Sequence, residues 1–522
     1  MKPLLPVSII LILLLACQSS PKEQDARPNI LFIISDDQSW LHVGAYGDPQ
    51  INTPAFDRIA REGVLFNNSF CTSPSCTPSR SSVLTGQDIW RIREAGILYG
   101  SIPPDIPLVT HLLADHGYHV GFTGKGWAPG KWDYLGLTTP PLIKEYNMEK
   151  ESHIAYGIDP RDYAANFVKF LQDRPDGAPF FFWFGPTEPH REYAFEAGEV
   201  EAGLDPSQVD LPSFWPDVPV IRTDVLDYFY EIMWYDTFIA EFLEILEASG
   251  ELDNTLIVAT SDNGMPFPRA KVNIYDWGTH MPLAIRWGDR LSQGRVVDDL
   301  VSHIDFAPTF LEAAGIEIPD QMTGKSLMPI LSSTKSGQIV PERTQVFTGM
   351  ERHTWCRPEG ATYPMRAIRT HDYLYIRNFE PDRWPTGGPD FISSNKTNHG
   401  DVDACPSKSF MVAYQEEYPR EYDLSFGKRP KEELYAIHAD KSQVNNLADE
   451  PEYQTIKDSL AHALTSHLES SGDPRIKGED PWQAQVYHQE NNYGSTFNRL
   501  LSPSKRARAK LRPSHHPVWK LK

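Results

Sequence analysis

A cysteine lies just ahead of a predicted helix and is followed by a proline and an arginine, in the run Cys76-Thr77-Pro78-Ser79-Arg80. The proline falls in the first turn, where its missing N–H is not needed, and the arginine follows one turn later on the same face. A helix amino terminus stabilises negative charge through its free N–H groups and its dipole. The pattern therefore predicts a nucleophile at position 76 that meets an anion; a small buried thiol is the alternative.

Other chemistry-bearing side chains follow short apolar runs that are typical of buried parallel strands. In open α/β sheets, ligands bind at the edge formed by the carboxyl ends of the strands. Because parallel strands end at the same edge, these side chains are predicted to converge with Cys76. The runs and the residues that follow them are 30–34 with Asp36 and Asp37, 120–122 with Lys125, 180–184 with His190, and 256–259 with Asp262 and Asn263.

Oxygen ligands predominate among these side chains, in Asp36, Asp37, Asp262 and Asn263. Carboxylate and amide oxygens favour calcium or magnesium over zinc. Calcium is predicted because several protein oxygens would surround the ion in an irregular geometry. For the two neighbouring aspartates alone, a solvated turn is the alternative, and the second set at another strand end favours the metal.

The elements that position these residues alternate between strands and helices. One helix is predicted to start at Thr53-Pro54, and a long one spans about 224–249 and ends at Gly250. This alternation predicts an α/β fold with a large, mainly parallel sheet flanked by helices and a smaller C-terminal α+β subdomain. The predicted divisions are a catalytic domain at 28–375, the subdomain at 376–485 and a tail at 486–522.

The amino terminus is typical of a targeting segment. Residues 7–16 form an apolar stretch too short to span a bilayer. The stretch ends at Cys17 in a context that resembles a bacterial lipoprotein signal, which implies a signal peptide at 1–16, lipidation of Cys17 and a polar tether at 17–27. The predicted location is the bacterial cell envelope, with the lipid in the membrane at the periplasmic face or the cell surface; an ordinary secretory signal is the alternative.

Composition argues against one class of partner. The 522-residue chain carries a formal net charge of −21, whereas nucleic-acid sites are basic, so no nucleic acid is expected to bind. An anionic substrate is expected to be captured by a local basic pocket. Of the five cysteines, Cys17 and Cys76 have predicted roles, so at least one of the others stays unpaired; a Cys356–Cys405 disulfide is one open arrangement.

These motifs resemble those of type I, formylglycine-dependent sulfatases of the alkaline phosphatase superfamily. Within it they are most similar to the N-sulfoglucosamine sulfohydrolase (heparan N-sulfatase) branch and to bacterial polysaccharide sulfatases. The resemblance covers about residues 28–447 and implies an alkaline phosphatase-like fold. The strings that carry it are Pro28 through Asp37, Cys76 to Gly86, Pro189-His190-Arg191, Thr260 to Pro268, Asn273-Ile274-Tyr275, Tyr363-Pro364-Met365-Arg366, and Glu433-Leu434-Tyr435 with Asn446-Leu447.

The resemblance implies that a formylglycine-generating maturation enzyme oxidises Cys76 to formylglycine (3-oxoalanine). One calcium ion is then held by the modified residue with Asp36, Asp37, Asp262 and Asn263. One hydroxyl of the hydrated aldehyde attacks sulfur, and a covalent sulfo-enzyme forms as the alcohol or amine leaves. The second hydroxyl then expels sulfate and restores the aldehyde.

Four further residues receive catalytic roles from this resemblance and from their positions. Arg80 is expected to hold the modified side chain or the metal ligands. Lys125, His190 and Lys271 match positions that hold sulfate oxygens or protonate the leaving group. A histidine is the better acid because imidazole titrates near working pH, whereas lysines suit the charge that builds in the transition state.

The chain departs from the family pattern at one position. The family commonly has Lys-x-His after the strand at 120–122, and here Trp127 stands where the histidine is expected. That histidine is thought to handle the proton of the formylglycine hydroxyl. His280 or a metal-bound oxygen is the predicted replacement, and lost activity is the alternative.

The substrate is predicted to be a sulfated polysaccharide or its oligosaccharides, of algal type such as ulvan or of glycosaminoglycan type. Arg352, His353 and Arg366 are the predicted substrate-binding residues, because arginine forks suit the carboxylates and sulfates of a uronic-acid polymer. Three alternatives stay open: an N-sulfoglucosamine sulfohydrolase acting on heparan-type chains, a phosphonate or phosphodiester hydrolase of the same superfamily, and a non-catalytic glycan-binding lipoprotein.

Overall fold

The computed structural model describes residues 27–151, 155–391 and 397–483. Its strands, in chain order, are β1 (Asn29–Ser35), β2 (Val64–Phe66), β3 (Ser69–Phe70), β4 (His119–Gly124), β5 (Phe180–Gly185), β6 (Thr255–Ser261), β7 (His280–Met281), β8 (Leu283–Arg286), β9 (Arg295–Val297), β10 (Val301–Ser302), β11 (Gln345–Met350), β12 (Met365–Thr370), β13 (Tyr373–Asn378) and β14 (Glu432–Ala436).

The α-helices are α1 (Pro54–Arg61), α2 (Cys76–Thr85), α3 (Val109–Asp115), α4 (Tyr163–Asp173), α5 (Ala197–Val200), α6 (Pro219–Ala248), α7 (Asp276–Thr279), α8 (Phe306–Ala313), α9 (Met328–Leu331), α10 (Pro406–Ala413), α11 (Pro419–Phe426) and α12 (Gln454–Ser471). The predicted helix at 224–249 is α6. It starts five residues earlier than expected because Pro219 fits the first helical position after the extended Val218.

A seven-stranded sheet forms the centre of the molecule, in the order β4-β5-β1-β6-β8-β2-β9. The four strands expected from the apolar runs are neighbours in it, and all three pairings among them are parallel. The antiparallel β8 then joins β6 to β2. The predicted α/β class with a mainly parallel sheet is therefore confirmed, and the carboxyl ends of four strands share one edge.

Both faces of this sheet are covered, which explains why the strands are continuous apolar runs. All seven residues of β1 are buried. Ile30, Phe32 and Ile34 pack on the face that carries α2, α3 and α8, whereas Leu31 and Ile33 pack against α1, α4 and α6. Each such side chain contributes about 1.5–3 kcal/mol on burial, so the strand that carries the first acidic pair is held firmly in place.

The C-terminal subdomain is a four-stranded antiparallel sheet, in the order β11-β12-β13-β14, and α12 packs against β12 and β13. The predicted boundary at residue 376 is wrong, because it falls inside β13 and the sheet already begins at Gln345. The subdomain also touches the nucleophile region directly, since the Gly349 amide donates to the Thr72 carbonyl at 2.9 Å.

Several predictions concern residues outside the described ranges. These are the signal peptide at 1–16, lipidation of Cys17, almost all of the tether at 17–27 and the tail at 486–522, which stay predictions from sequence. Within the described residues, no helix combines the length and apolar character that crossing a bilayer requires. Cys356 and Cys405 are both buried free thiols, so the disulfide considered between them is not formed.

Candidate active site

The nucleophile candidate occupies the first position of a buried helix. All ten residues of α2 are buried, and Cys76 is 3% exposed. The preceding Ser75 is extended, and the Val272 amide holds this approach by donating to the Pro74 carbonyl at 2.9 Å. The amino end of α2 therefore presents Cys76 to the edge of the central sheet, where the helix dipole favours negative charge.

Strand register brings the two acidic segments together. Ser35 at the end of β1 pairs with Ser261 at the end of β6, so the residues that follow leave the sheet side by side. Asp37 adopts a left-handed backbone with φ 71°, a conformation that aspartate tolerates better than most residues. Its amide donates to Oδ1 of Asp262 at 3.0 Å, which ties the two strand ends to each other.

These acids surround the thiol. Cys76 Sγ lies 3.6 Å from Asp36 Oδ1 and 4.0 Å from Asp37 Oδ1. Ligand atoms of Asp36, Cys76 and Asp262 all lie within 4.8 Å of one another and are buried. Burial also raises the pKa of the Cys76 thiol well above its ordinary value, so the unmodified side chain is a neutral thiol here.

The donor set fits a hard divalent cation. Asn263 donates from Nδ2 to Asp37 Oδ1 at 2.7 Å, while its Oδ1 is buried and accepts no hydrogen bond within the described residues. A buried acceptor without a partner is costly, and it lies beside carboxylates that would otherwise repel one another. Carboxylate and amide oxygens are the ligands that calcium and magnesium prefer, so the structure contains a candidate metal site built on Asp36, Cys76 and Asp262.

Two lysines neutralise the aspartates at the end of β1. Lys125 Nζ lies 2.7 and 2.6 Å from the two oxygens of Asp36, and Lys271 Nζ lies 2.6 Å from Asp37 Oδ2. Burial would raise the pKa of Asp36, but the ammonium of Lys125 and the other nearby cations outweigh it and hold that pKa below its ordinary value. The ammonium groups of the buried Lys271 and the partly buried Lys125 thus lie beside the acids that surround Cys76.

Arg80 anchors the acid at the end of β6. Its Nε donates to Asp262 Oδ2 at 2.8 Å, and its Nη1 donates to the carbonyls of Lys125 and Gly126. Burial nevertheless raises the pKa of Asp262 to about 6. The Nη2 of Arg80 lies 3.8 Å from Asp36 Oδ1 and has no hydrogen-bond partner in the described part of the chain, which leaves one buried donor facing the acids.

His190 stands at the mouth of the site, with a side chain that is 34% exposed. Its Nδ1 lies 2.7 Å from the Arg191 carbonyl, and a carbonyl can only accept, so Nδ1 carries the proton in the neutral ring. Nε2 then lies 3.7 Å from Asp37 Oδ2. Arg191 is itself fixed by a 2.7 Å ion pair with Asp224 on α6, so the imidazole has a defined orientation toward the acids.

The residue that stands where the family has a histidine, Trp127, is part of the hydrophobic core. Trp127 is buried and donates from Nε1 to Ser81 Oγ at 2.7 Å. His280, one predicted replacement, stacks between Trp40 and Phe70, and its Nε2 lies 2.8 Å from the Asn67 carbonyl, so its ring is engaged away from Cys76. The prediction for His280 therefore finds no support in the geometry.

Two other histidines contact the first turn of α2. His353 Nδ1 lies 2.8 Å from the hydroxyl of Ser75, the residue before Cys76. His303 Nδ1 lies 3.2 Å from the hydroxyl of Ser79, which donates to the Asp262 carbonyl at 2.5 Å. His303 was missed from sequence because nothing in its local pattern distinguishes it from a core histidine.

The predicted substrate-binding residues separate in the structure. His353 contacts the hydroxyl of Ser75, the residue that precedes α2. Arg352 is buried, donates to the Gly360 carbonyl and lies over the Trp355 ring. Arg366 is fully buried and paired with Glu351 and Asp473 at 2.7 and 2.6 Å, so its prediction as a substrate ligand is wrong: its charge is already neutralised inside the subdomain.

Replacing Arg366 by leucine is expected to destabilise the protein by about 3–5 kcal/mol, because the buried Asp473 loses its counter-charge and Glu351 keeps only Arg475. Chemical denaturation measures this change in the free energy of unfolding. The turnover number of the molecules that remain folded is expected to be unchanged. Arg420→Leu is the control, since the exposed pair of Arg420 with Glu421 contributes at most about 1 kcal/mol; a normal stability with a raised KM for Arg366→Leu would restore the substrate role.

One residue at the site was missed entirely. Asp403 precedes α10 and places its Oδ2 3.2 Å from Lys271 Nζ. No motif surrounds it, because it lies in a loop rich in Gly, Pro, Asn and Asp that reaches the site only through the fold. A residue from the C-terminal part of the chain thus joins the charged set around Cys76.

Comparison with known proteins agrees with this geometry. A family model described as Sulfatase matches residues 28–316, and one described as N-sulphoglucosamine sulphohydrolase, C-terminal, matches residues 270–385. An ulvan-active sulfatase of Formosa agariphila is 28% identical over 457 residues, which cover 86% of this chain and 81% of that protein. The N-sulphoglucosamine sulphohydrolase of Homo sapiens is 27% identical over 516 residues, covering 90% of this chain and 94% of that protein.

Solved structures share the fold. The structure described as BT4656 in complex with its substrate D-glucosamine-2-N,6-O-disulfate superposes with a TM-score of 0.62 at 21% identity, covering 87% of this chain and 99% of that one. The predicted alkaline phosphatase-like architecture is confirmed by this likeness. With the family match over more than half of its length, the chain belongs to the sulfatase family and is a sulfuric ester hydrolase.

Proposed function

We propose that this protein is a formylglycine-dependent sulfatase that removes sulfate from an anionic polysaccharide or its oligosaccharides, of ulvan or glycosaminoglycan type. One observation carries the proposal: a buried cysteine at a helix start faces three carboxylates, each of which is paired with its own cation. Such a set offers a position for a nucleophile, for a divalent ion and for a tetrahedral anion within one small space.

The chemistry beyond ordinary side chains comes from two groups. Formylglycine at position 76 supplies, as its hydrate, an oxygen nucleophile, and a calcium ion supplies Lewis acidity toward sulfate. Asp36, Asp37, Asp262 and Asn263 would hold the ion. The free Nη2 of Arg80 is a donor for an oxygen of the modified side chain, which suits its buried and unpartnered state.

The remaining residues bind the sulfate and move one proton. Lys125 and Lys271 present ammonium groups to the negative charge that builds on the sulfate oxygens, which lowers the barrier electrostatically. His190 has its Nδ1 proton engaged by a backbone carbonyl, so Nε2, when protonated, is the atom that can donate to the leaving oxygen or nitrogen.

Replacing His190 by alanine is expected to lower kcat on sulfated sugars by about 10²–10³-fold, the usual contribution of a general acid. The kcat for nitrophenyl sulfate should fall less, because nitrophenolate leaves without being protonated. Steady-state kinetics on the two substrate types measure the difference.

His111→Ala is the matched control, because His111 also bonds to a backbone carbonyl, that of Pro140, but lies on α3, a helix that packs against α8 and β4. Its kinetics are expected to be unchanged. Equal losses on sugar and aryl sulfates for His190→Ala would contradict the role of general acid.

An N-sulfate is the second candidate bond. The N-sulphoglucosamine sulphohydrolase C-terminal model spans residues 270–385, a segment that contains Lys271 and His353, and this similarity favours that branch. Ulvan-active relatives support O-sulfate instead.

A screen of defined sulfated oligosaccharides, with product identification, decides between these bonds. The protein should come from a host that makes formylglycine, and phosphodiesters should be assayed in parallel. Release of sulfate from a sugar supports the proposal. Faster phosphodiester turnover would favour a phosphate-ester hydrolase, and binding without turnover, with an unmodified thiol at position 76 by peptide mass, would favour a non-catalytic glycan-binding protein.

A further inference from the structure

Asp403 is the most exposed acid of the charged set around Cys76. Its side chain is 28% exposed, against 4% for Lys271 and 0% for Asp37. Lys271 engages only its Oδ2, and in the described part of the chain Oδ1 accepts no hydrogen bond. The partly exposed carboxylate therefore offers a free acceptor next to the ammonium group of Lys271.

The loop that carries Asp403 is rigidly built. Asp401 accepts hydrogen bonds from the amide and hydroxyl of Thr354 at 2.6 and 2.7 Å and from Arg357 at 2.8 Å. The buried Lys408 donates to the carbonyls on both sides of Asp401 at 2.9 and 2.8 Å. Since ordering a loop costs conformational entropy, this network holds Asp403 in one place before any ligand arrives.

The surroundings keep this carboxylate charged. Burial opposes ionisation, but Lys271, His190 and His353 together hold the pKa of Asp403 below its ordinary value. A charged acceptor makes stronger hydrogen bonds than a neutral one, and it repels a second anion at short range. The same carboxylate can thus favour one leaving group and exclude another.

Resting on the proposed function, we propose that Asp403 forms the subsite for the leaving sugar: it accepts a hydrogen bond from a hydroxyl or amino group next to the sulfate that is removed, and it excludes substrates with a second sulfate or a carboxylate at that neighbouring position. Residue 403 lies outside both matched segments, which end at residues 316 and 385. The proposed sugar contact therefore comes from a part of the chain that neither family model matches.

The test uses Asp403→Asn and Asp403→Ala in the full-length, formylglycine-bearing protein. Three substrates are compared: nitrophenyl sulfate, the best monosulfated sugar from the screen, and that sugar sulfated again on the neighbouring carbon. The ratio of kcat/KM for the monosulfated sugar to that for nitrophenyl sulfate is expected to fall about tenfold for the asparagine variant, and further for alanine. In the same variants, kcat/KM for the disulfated sugar is expected to rise about tenfold relative to kcat/KM for the monosulfated one.

Asp173→Asn is the matched control. Asp173 is 26% exposed and pairs with two lysines, Lys144 and Lys169, but it lies at the end of α4 that leads to the opposite edge of the sheet. For Asp173→Asn, the ratios of kcat/KM between the three substrates are expected to equal those of the native protein.

Binding gives a second readout that does not depend on turnover. In a Cys76→Ala background, calorimetry with the monosulfated sugar should show about tenfold weaker affinity when Asp403→Asn is added. Unchanged ratios and unchanged affinity overturn the role of Asp403 and leave the sulfatase proposal intact. A native protein that hydrolyses no sulfate, sugar or aryl, overturns the proposed function and this inference with it.

Discussion

Cys76→Ala protein is expected to fold normally and to lose at least about 10⁴-fold in kcat, the scale seen when a covalent nucleophile is removed. The site explains the size of the loss. Cys76 Sγ is the group that the surrounding acids and cations converge on, and no other nucleophile in the described residues occupies its place. Steady-state kinetics with a sulfated sugar measure the loss of kcat, and circular dichroism checks that the variant is folded.

Cys71→Ala is the control for this substitution. Cys71 is also a buried free thiol, five residues earlier, and its Sγ donates to the Gly278 carbonyl at 3.7 Å. Its loss is expected to leave kcat within about threefold and to cost about 1 kcal/mol of stability. A fully active Cys76→Ala protein would rule out covalent catalysis at this position.

Asp262→Asn is expected to lose the bound metal and about 10²–10³-fold in kcat. Both oxygens of Asp262 are committed, to the Arg80 guanidinium and to the Asp37 amide. An amide would leave the fully buried Arg80 without its closest counter-charge, so a destabilisation of about 3–5 kcal/mol accompanies the loss. Elemental analysis, kinetics and denaturation follow the three effects.

The control for this variant is Asp236→Asn. Asp236 is also a buried aspartate, but its oxygens accept from the amides of Ala55 and Phe56 at the start of α1, at 2.9 and 2.8 Å. Its substitution should reduce stability while metal content stays normal. Metal-free Asp262→Asn protein with full activity would contradict the metal site.

The edge of the central sheet at which the candidate site residues meet was predictable, because the carboxyl ends of parallel strands lie at one edge. Asp36 and Asp262 follow strands whose ends pair in register, and Lys125 follows β4, which belongs to the same set of parallel strands. Local sequence therefore sufficed to place these residues at one edge, although their catalytic roles stay predictions.

The positions that could not be predicted from sequence depend on contacts between distant parts of the chain. Asp403 reaches the site through a loop fixed by contacts with Thr354 and Arg357, and no local pattern encodes those contacts. Arg366 matched a family string, yet an antiparallel sheet that crosses the predicted domain boundary buries it among acids. Trp127 occupies the place of an expected histidine and serves the core instead.

The complete burial of α2 also sets an order of events in the life of the protein. A modifying enzyme cannot reach Cys76 and its neighbours once they are enclosed, so any oxidation of this cysteine must happen while the nascent polypeptide is still open. A molecule that folds with this thiol intact would then keep it.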